Sequence, residues 1–205
     1  MNPPATEVPA QPPRSPGLKI AFIGSHGVGK TTLCYALAAR LKARDVALDV
    51  IHEVARRCPM PINQETGVLS ESWILHSQIA DELLAAWRYP VVICDRSALD
   101  NYVYLLVAAG PQPALETLVD RWMATYDLLV HVPIGSDPSA DGVRAVDPLF
   151  QRVIDTRLES ELRARGFESL RLVPGERASW IDRVEDVVLS RLGPRQMLLD
   201  EIKRP

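Results

Sequence analysis

The stretch Gly24-Ser25-His26-Gly27-Val28-Gly29-Lys30-Thr31-Thr32 has the residue types and spacing to hold a polyphosphate. It fits the pattern G-x-x-x-x-G-K-S/T at every required position. An apolar run, Leu18 to Ile23, leads in, and a helical pattern of Leu33, Leu37 and Leu41 leads out. A strand, a glycine-rich turn and a helix N-terminus gather backbone N–H groups into a concave anion site. The glycines allow the tight turn and a close approach of main chain to ligand. Lys30 can reach the β and γ phosphates of a nucleotide, and the Thr31 hydroxyl can ligate Mg²⁺. ATP with Mg²⁺ is the expected cofactor pair. His26 contributes through its backbone and is assigned no catalytic role.

A second chemical group closes another apolar run, Val91-Val92-Ile93-Cys94-Asp95. A carboxylate at the end of such a strand, beside a phosphate loop, is placed to hold Mg²⁺ with Thr31. The competing role for Asp95 is a helix N-cap, which Ser97 could fill instead. Arg96 follows the acid. A second acid there would suit an ATPase that activates water, whereas an arginine suits gripping a substrate or a transferring phosphoryl group. The chain has no N-K-x-D for guanine and no D-x-x-G switch.

These residues need a scaffold, and the chain supplies alternating strand and helix patterns. Strands are expected at Leu18–Ile23, Ala47–His52, Val91–Asp95, Asp127–Val132 and Ser169–Val173. Helices are expected after the loop to about Arg44, then from Ser70 to Trp87, Asn101 to Ala109, Pro113 to Thr125, after the loop to Arg165, and from Glu176 to Leu192. Continuous apolar strands between helices imply a mainly parallel five-stranded sheet covered on both faces, a three-layer α/β fold. Strand two should end at the same sheet edge as the phosphate loop. Glu53 then becomes the candidate to accept the proton of an acceptor hydroxyl, with a surface ion pair to Arg56 or Arg57 as its competing role. Arg56 and Arg57 could also serve a phosphate-bearing acceptor. The polar stretch Gly135–Pro148 is placed to act as a lid, with Arg144 as its arginine; Arg152 and Arg157 are secondary candidates.

Bulk properties narrow the classes. At 205 residues and 22.7 kDa, with 47% hydrophobic and 24% charged residues, one soluble domain is expected, spanning 18–192. A net charge of −3 offers no basic stripe for nucleic acid. No run is long enough to span a membrane. The six prolines of residues 1–17 suggest a disordered tail without a signal-peptide core, and 193–205 reads as a C-terminal tail. Cys34, Cys58 and Cys94 form no metal spacing, and Cys34 and Cys94 read as core residues of a cytoplasmic protein.

Asp95-Arg96-Ser97 resembles the acid-Arg-Ser motif of nucleoside and thymidylate kinases. Glu53 after strand two resembles the acid of deoxynucleoside kinases, although Val54 stands where they carry proline. Asp141-Gly142-Val143-Arg144 resembles the lid of ribosylnicotinamide kinases and related small AAA-type ATP-binding kinases. Residues 18–192 thus resemble a nucleoside or nucleotide kinase of the P-loop superfamily. The resemblance implies a P-loop NTPase fold like that of the NMP kinases and transfer of the ATP γ-phosphoryl group. The acceptor would be a nucleoside, nicotinamide riboside or an NMP.

It also implies that Gln78 reads a base edge with Trp73 stacked on it, the alternative being that Trp73, Leu83 and Trp87 form a core stripe. Tyr102 and Tyr104 are candidates for the acceptor pocket, with packing expected for at least one, and Gly175 lies where related kinases cradle adenine by backbone contacts. The partner would be a small molecule, and the assembly considered is a homodimer. The rival reading is an ATP-binding regulatory module or ATPase without a small-molecule acceptor.

Overall fold

The computed structural model describes residues 17–62, 66–135 and 148–201. The proline-rich residues 1–16, the lid motif with Arg144, and the last four residues lie outside them.

Five strands form one parallel sheet: β1 (Leu18–Ile23), β2 (Leu48–Ile51), β3 (Val91–Asp95), β4 (Leu128–His131) and β5 (Leu170–Arg171). Their order across the sheet is β2-β3-β1-β4-β5. The central strand β1 pairs with β3 on one side (Phe22 opposite Asp95) and β4 on the other (Ile23 opposite His131). The chain therefore brings the C-terminal ends of β1, β3 and β4 side by side, where an open parallel sheet places its ligands.

Among the described residues, six α-helices cover the sheet: α1 (Lys30–Lys42), α2 (Val68–Arg88), α3 (Ala98–Ala109), α4 (Pro113–Met123), α5 (Pro148–Ala164) and α6 (Trp180–Glu201). Alternate β1 side chains sort into two cores. Leu18, Ile20 and Phe22 pack with Leu33, Leu37 and Leu41 of α1 and Val184 and Val188 of α6. Ala21 and Ile23 pack with Leu75 of α2, Leu99 and Val103 of α3, and Ile154 and Leu158 of α5. The period of two along the strand and of about 3.6 along the helices produces this division. Cys34 and Cys94 are buried in these cores; burial pushes both thiols well above their ordinary pKa and keeps them protonated.

Two elements differ most from their sequence pattern. β5 shrinks to two residues at the sheet edge, where β4 is its single partner. α6 starts after a 3-10 turn at Arg177–Ser179 and runs to Glu201, beyond the expected end at Leu192. A helix carrying Gly193 and Pro194 goes against intrinsic preference, and the helix formers Met197 to Glu201 follow them.

Helix α2 is unusual in what it buries. Its inward stripe is Glu71, Leu75, Gln78 and Glu82, at spacings of four, three and four, so polar side chains face the protein. Leu83 and Trp87 are 56% and 57% exposed, and Trp73 is half-buried. The core-stripe alternative for Trp73, Leu83 and Trp87 is therefore overturned.

Candidate functional site

The phosphate loop connects β1 directly to α1. Gly24, Gly27 and Gly29 have φ of 133°, 71° and 97°, values that L side chains rarely adopt. At Gly24 a Cβ would also lie 2.6 Å from the Val132 carbonyl oxygen, so glycine is required there twice over. Asp100 secures the start of the loop: its Oδ1 accepts from the Gly24 N–H at 2.9 Å. Its other oxygen accepts from the Ser97 N–H at 3.0 Å and the Ser97 hydroxyl at 2.6 Å. Ser97 in turn caps α3, accepting from the Asp100 N–H. The cap thus falls on Ser97, and Asp95 is left for other work.

Asp95 Oδ2 accepts from the Thr31 hydroxyl at 2.5 Å. A hydroxyl and a carboxylate adjoining at the foot of a phosphate loop form an all-oxygen donor set that fits Mg²⁺. Lys30, 5% exposed, donates from Nζ to the carbonyls of Gly24 at 2.9 Å and Ser25 at 2.5 Å. Burial, and then the neighbouring Arg96 charge, lower its pKa to about 8, against the pull of Asp95, Asp100 and Glu53. Ser25 and His26 are also buried; His26 Nδ1 lies 3.3 Å from the Tyr104 hydroxyl. The His26 carbonyl accepts from the buried Gln151 amide of α5 at 2.7 Å.

Arg96 has φ of 98°, a strained value for a residue with a side chain. Its N–H bonds the Phe22 carbonyl at 3.1 Å and its carbonyl accepts from Gln78 Nε2 at 3.2 Å, so both neighbouring elements hold the turn. The turn sends consecutive side chains to different partners: Asp95 to Thr31, Arg96 to Glu53. Arg96 Nε and Nη2 donate to Glu53 Oε1 at 3.0 and 2.9 Å, and Arg56 Nε donates to Glu53 Oε2 at 2.9 Å. Burial opposes the Arg96 charge, but Tyr104, Glu53, Asp100 and Asp95 outweigh it and raise its pKa well above the ordinary value. Tyr104 lies with its ring 5.0 Å from the guanidinium. Among the described residues, Arg96 Nη1, Gln78 Oε1 and Asn101 Nδ2 are buried without a hydrogen-bond partner. Such buried atoms on Arg96 and on Gln78, which bonds the Arg96 carbonyl, are ones whose bonding a polar ligand would complete.

The sequence-predicted residues separate accordingly. Thr31 and Asp95 meet; Glu53, Arg56 and Arg96 meet; Gln78 joins Arg96 through its backbone. Trp73 lies with its ring 5.9 Å from the guanidinium of Arg57, which in turn bonds Asp81. Tyr102 is a correction. It is fully buried, donates to Glu116 at 3.0 Å and accepts from the Gln112 N–H at 3.1 Å, so it faces the core. Tyr104 takes the side toward Arg96, because residues two apart on a helix point about 200° apart.

Gly175 has φ of 88° and open space beside it. Two residues on, Arg177 brings Nη2 to 3.2 Å from where a Gly29 Cβ would stand. Arg177 was not singled out from sequence; its closeness in the chain to Gly175 is the signal that could have found it. His131 Nε2 lies 3.0 Å from Asp155 Oδ1 and ties the end of β4 to α5.

The sheet order, the loop and the Thr31–Asp95 pair define a P-loop fold of the nucleoside and nucleotide kinase type. Residues 19–183 match the AAA domain family, and the chain belongs to that family. Solved structures agree on the fold. NadR protein in complex with NR superposes with a TM-score of 0.65 at 20% identity, over 78% of this chain and 47% of NadR. Thymidylate kinase from Ehrlichia chaffeensis gives 0.58 at 19% identity, over 87% of this chain and 100% of that one. Deoxyadenosine kinase from M. mycoides with bound dATP gives 0.57 at 14% identity, over 85% and 98%. The chain thus spans about half the length of NadR and nearly all of the other two. A comparison with curated proteins finds no match. No helix among the described residues is long and apolar enough to cross a membrane.

Proposed function

We propose that this chain transfers the γ-phosphoryl group of ATP to a hydroxyl or phosphate of a nucleoside-like small molecule: a nucleoside, nicotinamide riboside or an NMP. The observation that carries this reading is the turn at Asp95-Arg96, which joins a Thr31–Asp95 pair on the donor side to a Glu53–Arg96 pair on the acceptor side. An ATPase that activates water has no need of a buried arginine–glutamate pair next to its acid.

In this reading the loop backbone from Gly24 to Thr32 and Lys30 hold the β and γ phosphates, and Arg177 and Gly175 flank the nucleoside end of ATP. Thr31 and Asp95 would hold Mg²⁺, which supplies charge neutralisation on the phosphates. Glu53 takes the proton as an acceptor hydroxyl oxygen bonds to the γ-phosphorus and the bridging oxygen leaves with ADP. Arg96 orients Glu53 through two hydrogen bonds to one carboxylate oxygen. Arg56, half exposed on Glu53, lies where an acceptor's own phosphate would enter. Structural neighbours that include thymidylate kinase, deoxyadenosine kinase and NadR in complex with NR support the substrate class.

The test is ADP release with ATP, Mg²⁺ and a panel of nucleosides, nicotinamide riboside and NMPs. Release that depends on one acceptor, and is lost in Lys30→Ala, is expected. Tight ATP binding with no acceptor dependence would sink the kinase reading in favour of a regulatory module.

A further inference from the structure

Gln78 is fully buried on α2, and the chemistry around it leaves its amide a single orientation. Its Nε2 donates to Glu82 Oε1 at 2.7 Å and to the Arg96 carbonyl at 3.2 Å. Both partners accept only. A main-chain carbonyl has no proton to give, and Glu82 is committed as an acceptor by its other neighbours. Those neighbours are Lys19 Nζ at 3.1 Å and Trp122 Nε1 at 2.7 Å on one oxygen, and the Tyr126 hydroxyl at 2.7 Å on the other. The Tyr126 oxygen already accepts from the Ala98 N–H at 3.0 Å, so its proton is free for Glu82. Four donors therefore converge on a carboxylate with about four lone-pair sites. Turning the Gln78 amide over would set its oxygen against two acceptors, so the orientation follows from hydrogen-bond chemistry. Both Gln78 amide hydrogens are spent inside the protein, and the atom left is Oε1, an acceptor. Arg96, whose carbonyl Gln78 bonds, has its own Nη1 donor without a partner among the described residues as well.

We propose that Glu82 is a positioning residue that fixes Gln78 as a pure acceptor. The site then selects a ligand presenting an N–H donor to Gln78 Oε1, as a primary carboxamide or an amino-substituted base does. It rejects the carboxylate or oxo counterpart. This rests on the reading of the Arg96 region as the acceptor pocket, and it adds the polarity of the group recognised there. A carboxylate or oxo group would bring an oxygen against Gln78 Oε1, and the locked amide has no second face to offer. Lys19 and the two aromatic rings beneath it (Trp122 at 4.4 Å, Tyr126 at 4.8 Å) hold the base of the network, so the lock is set by the fold and precedes any ligand.

Matched pairs test this on the intact chain in calorimetric titrations: nicotinamide riboside against nicotinic acid riboside, and cytidine against uridine. The first pair probes a carboxamide and the second an amino base. The wild type is expected to favour the N–H member of at least one pair by about tenfold or more, the cost of a buried polar group left unpaired. Glu82→Gln keeps its oxygen on Lys19 and Trp122 and turns its NH₂ toward Gln78, which removes one of the two acceptors that fix the amide; it is expected to shrink that ratio toward one with MgATP affinity unchanged. Binding without preference, or preference for the oxo or carboxylate members, overturns the inference and leaves the kinase reading standing. Absence of binding and of transfer with all four ligands overturns both.

The lock has its own readout without ligand. Gln78→Glu sets a second carboxylate against Glu82 and should lower the urea midpoint, whereas the swap Gln78→Glu/Glu82→Gln should recover part of the loss, because the amide introduced on one side can donate to the carboxylate introduced on the other while the Arg96 carbonyl stays without its donor. A Gln78→Glu protein as stable as wild type would overturn the fixed orientation.

Discussion

Replacing Lys30 by Met should change how stability responds to pH, in a direction that the burial of its ammonium dictates. Lys30 has its pKa lowered from 10.5 to about 8 in the folded protein, chiefly by burial and next by Arg96. The folded value lies below the unfolded one, so between about pH 8 and 10.5 the unfolded chain binds more protons and stability rises with pH. Below about pH 8 the ammonium is charged in both states, and its burial costs about 3 kcal/mol, the equivalent of the drop of about 2.5 pH units. Raising the pH from about 7 to about 9.5 should recover about 2 kcal/mol of this. Urea unfolding of nucleotide-free wild type and Lys30→Met at both pH values isolates the effect, since other titrating groups cancel in the double difference. Wild type should gain about 2 kcal/mol relative to the variant. Parallel pH profiles would refute the argument that the charge is held at a cost.

The same reasoning extends to the ligand. Phosphates on the loop return Lys30 to its charged form, so MgATP binding near pH 8.5 should take up about 0.7 proton in wild type and none in the variant, read by calorimetry in two buffers of different ionisation heat.

Other consequences follow from the geometry. Thr31→Ala and Asp95→Asn should each raise the Mg²⁺ concentration needed for half-maximal transfer by about tenfold, read from Mg²⁺ titrations at saturating ATP. Glu53→Gln should lower kcat by about a hundredfold or more with ATP affinity within about twofold; equal losses in both would make Glu53 structural. Gly24→Ala should destabilise the protein by about 2–4 kcal/mol in urea unfolding, because its Cβ would meet the Val132 carbonyl at 2.6 Å and the backbone would have to leave φ of 133°. Tyr102→Phe should cost about 1–2 kcal/mol of stability through its bonds to Glu116 and Gln112 and leave the acceptor KM unchanged, which a pocket role would not allow.

The parts of the site legible in the sequence are those carried by contiguous residues. Leu18–Ile23 and Val91–Asp95 end as strands where Gly24 and Arg96 break the apolar run, and the structure has those bounds. Once two such strands lie in one parallel sheet, the residues that close them, Gly24 to Thr32 and Asp95-Arg96, meet by topology. What sequence does not carry is which face of a helix turns inward when both faces are apolar or aromatic. Tyr102 and Tyr104 are equal on paper, and packing with α4 decided between them. Leu83 and Trp87 look like core, yet α2 buries Gln78 and Glu82 instead. Long-range polar bonds are equally hidden. Lys19 meets Glu82 across 63 residues, Gly24 meets Asp100 across 76, and Gln151 meets His26 across 125. None has a local spacing from which to be read.

Those long-range bonds explain how the proposed donor and acceptor halves would keep a fixed relation. Asp100 is bonded to Gly24 at the mouth of the phosphate loop and to Ser97 at the cap of α3. The helix that carries Tyr104 and Asn101 is thereby tied to the loop that would carry the phosphates. Gln78 ties α2 to the Arg96 carbonyl from the other side. The strained Arg96 backbone is clamped between two hydrogen bonds of its own main chain, to Phe22 and to Gln78. Strain of about 1–3 kcal/mol at such a residue persists only where its surroundings over-determine it. Here it sends Asp95 to Thr31 and Arg96 to Glu53, the proposed metal and acceptor sides, one residue apart. In-line transfer demands that relation, since an error of about 1 Å between donor and acceptor can cost two orders of magnitude in rate.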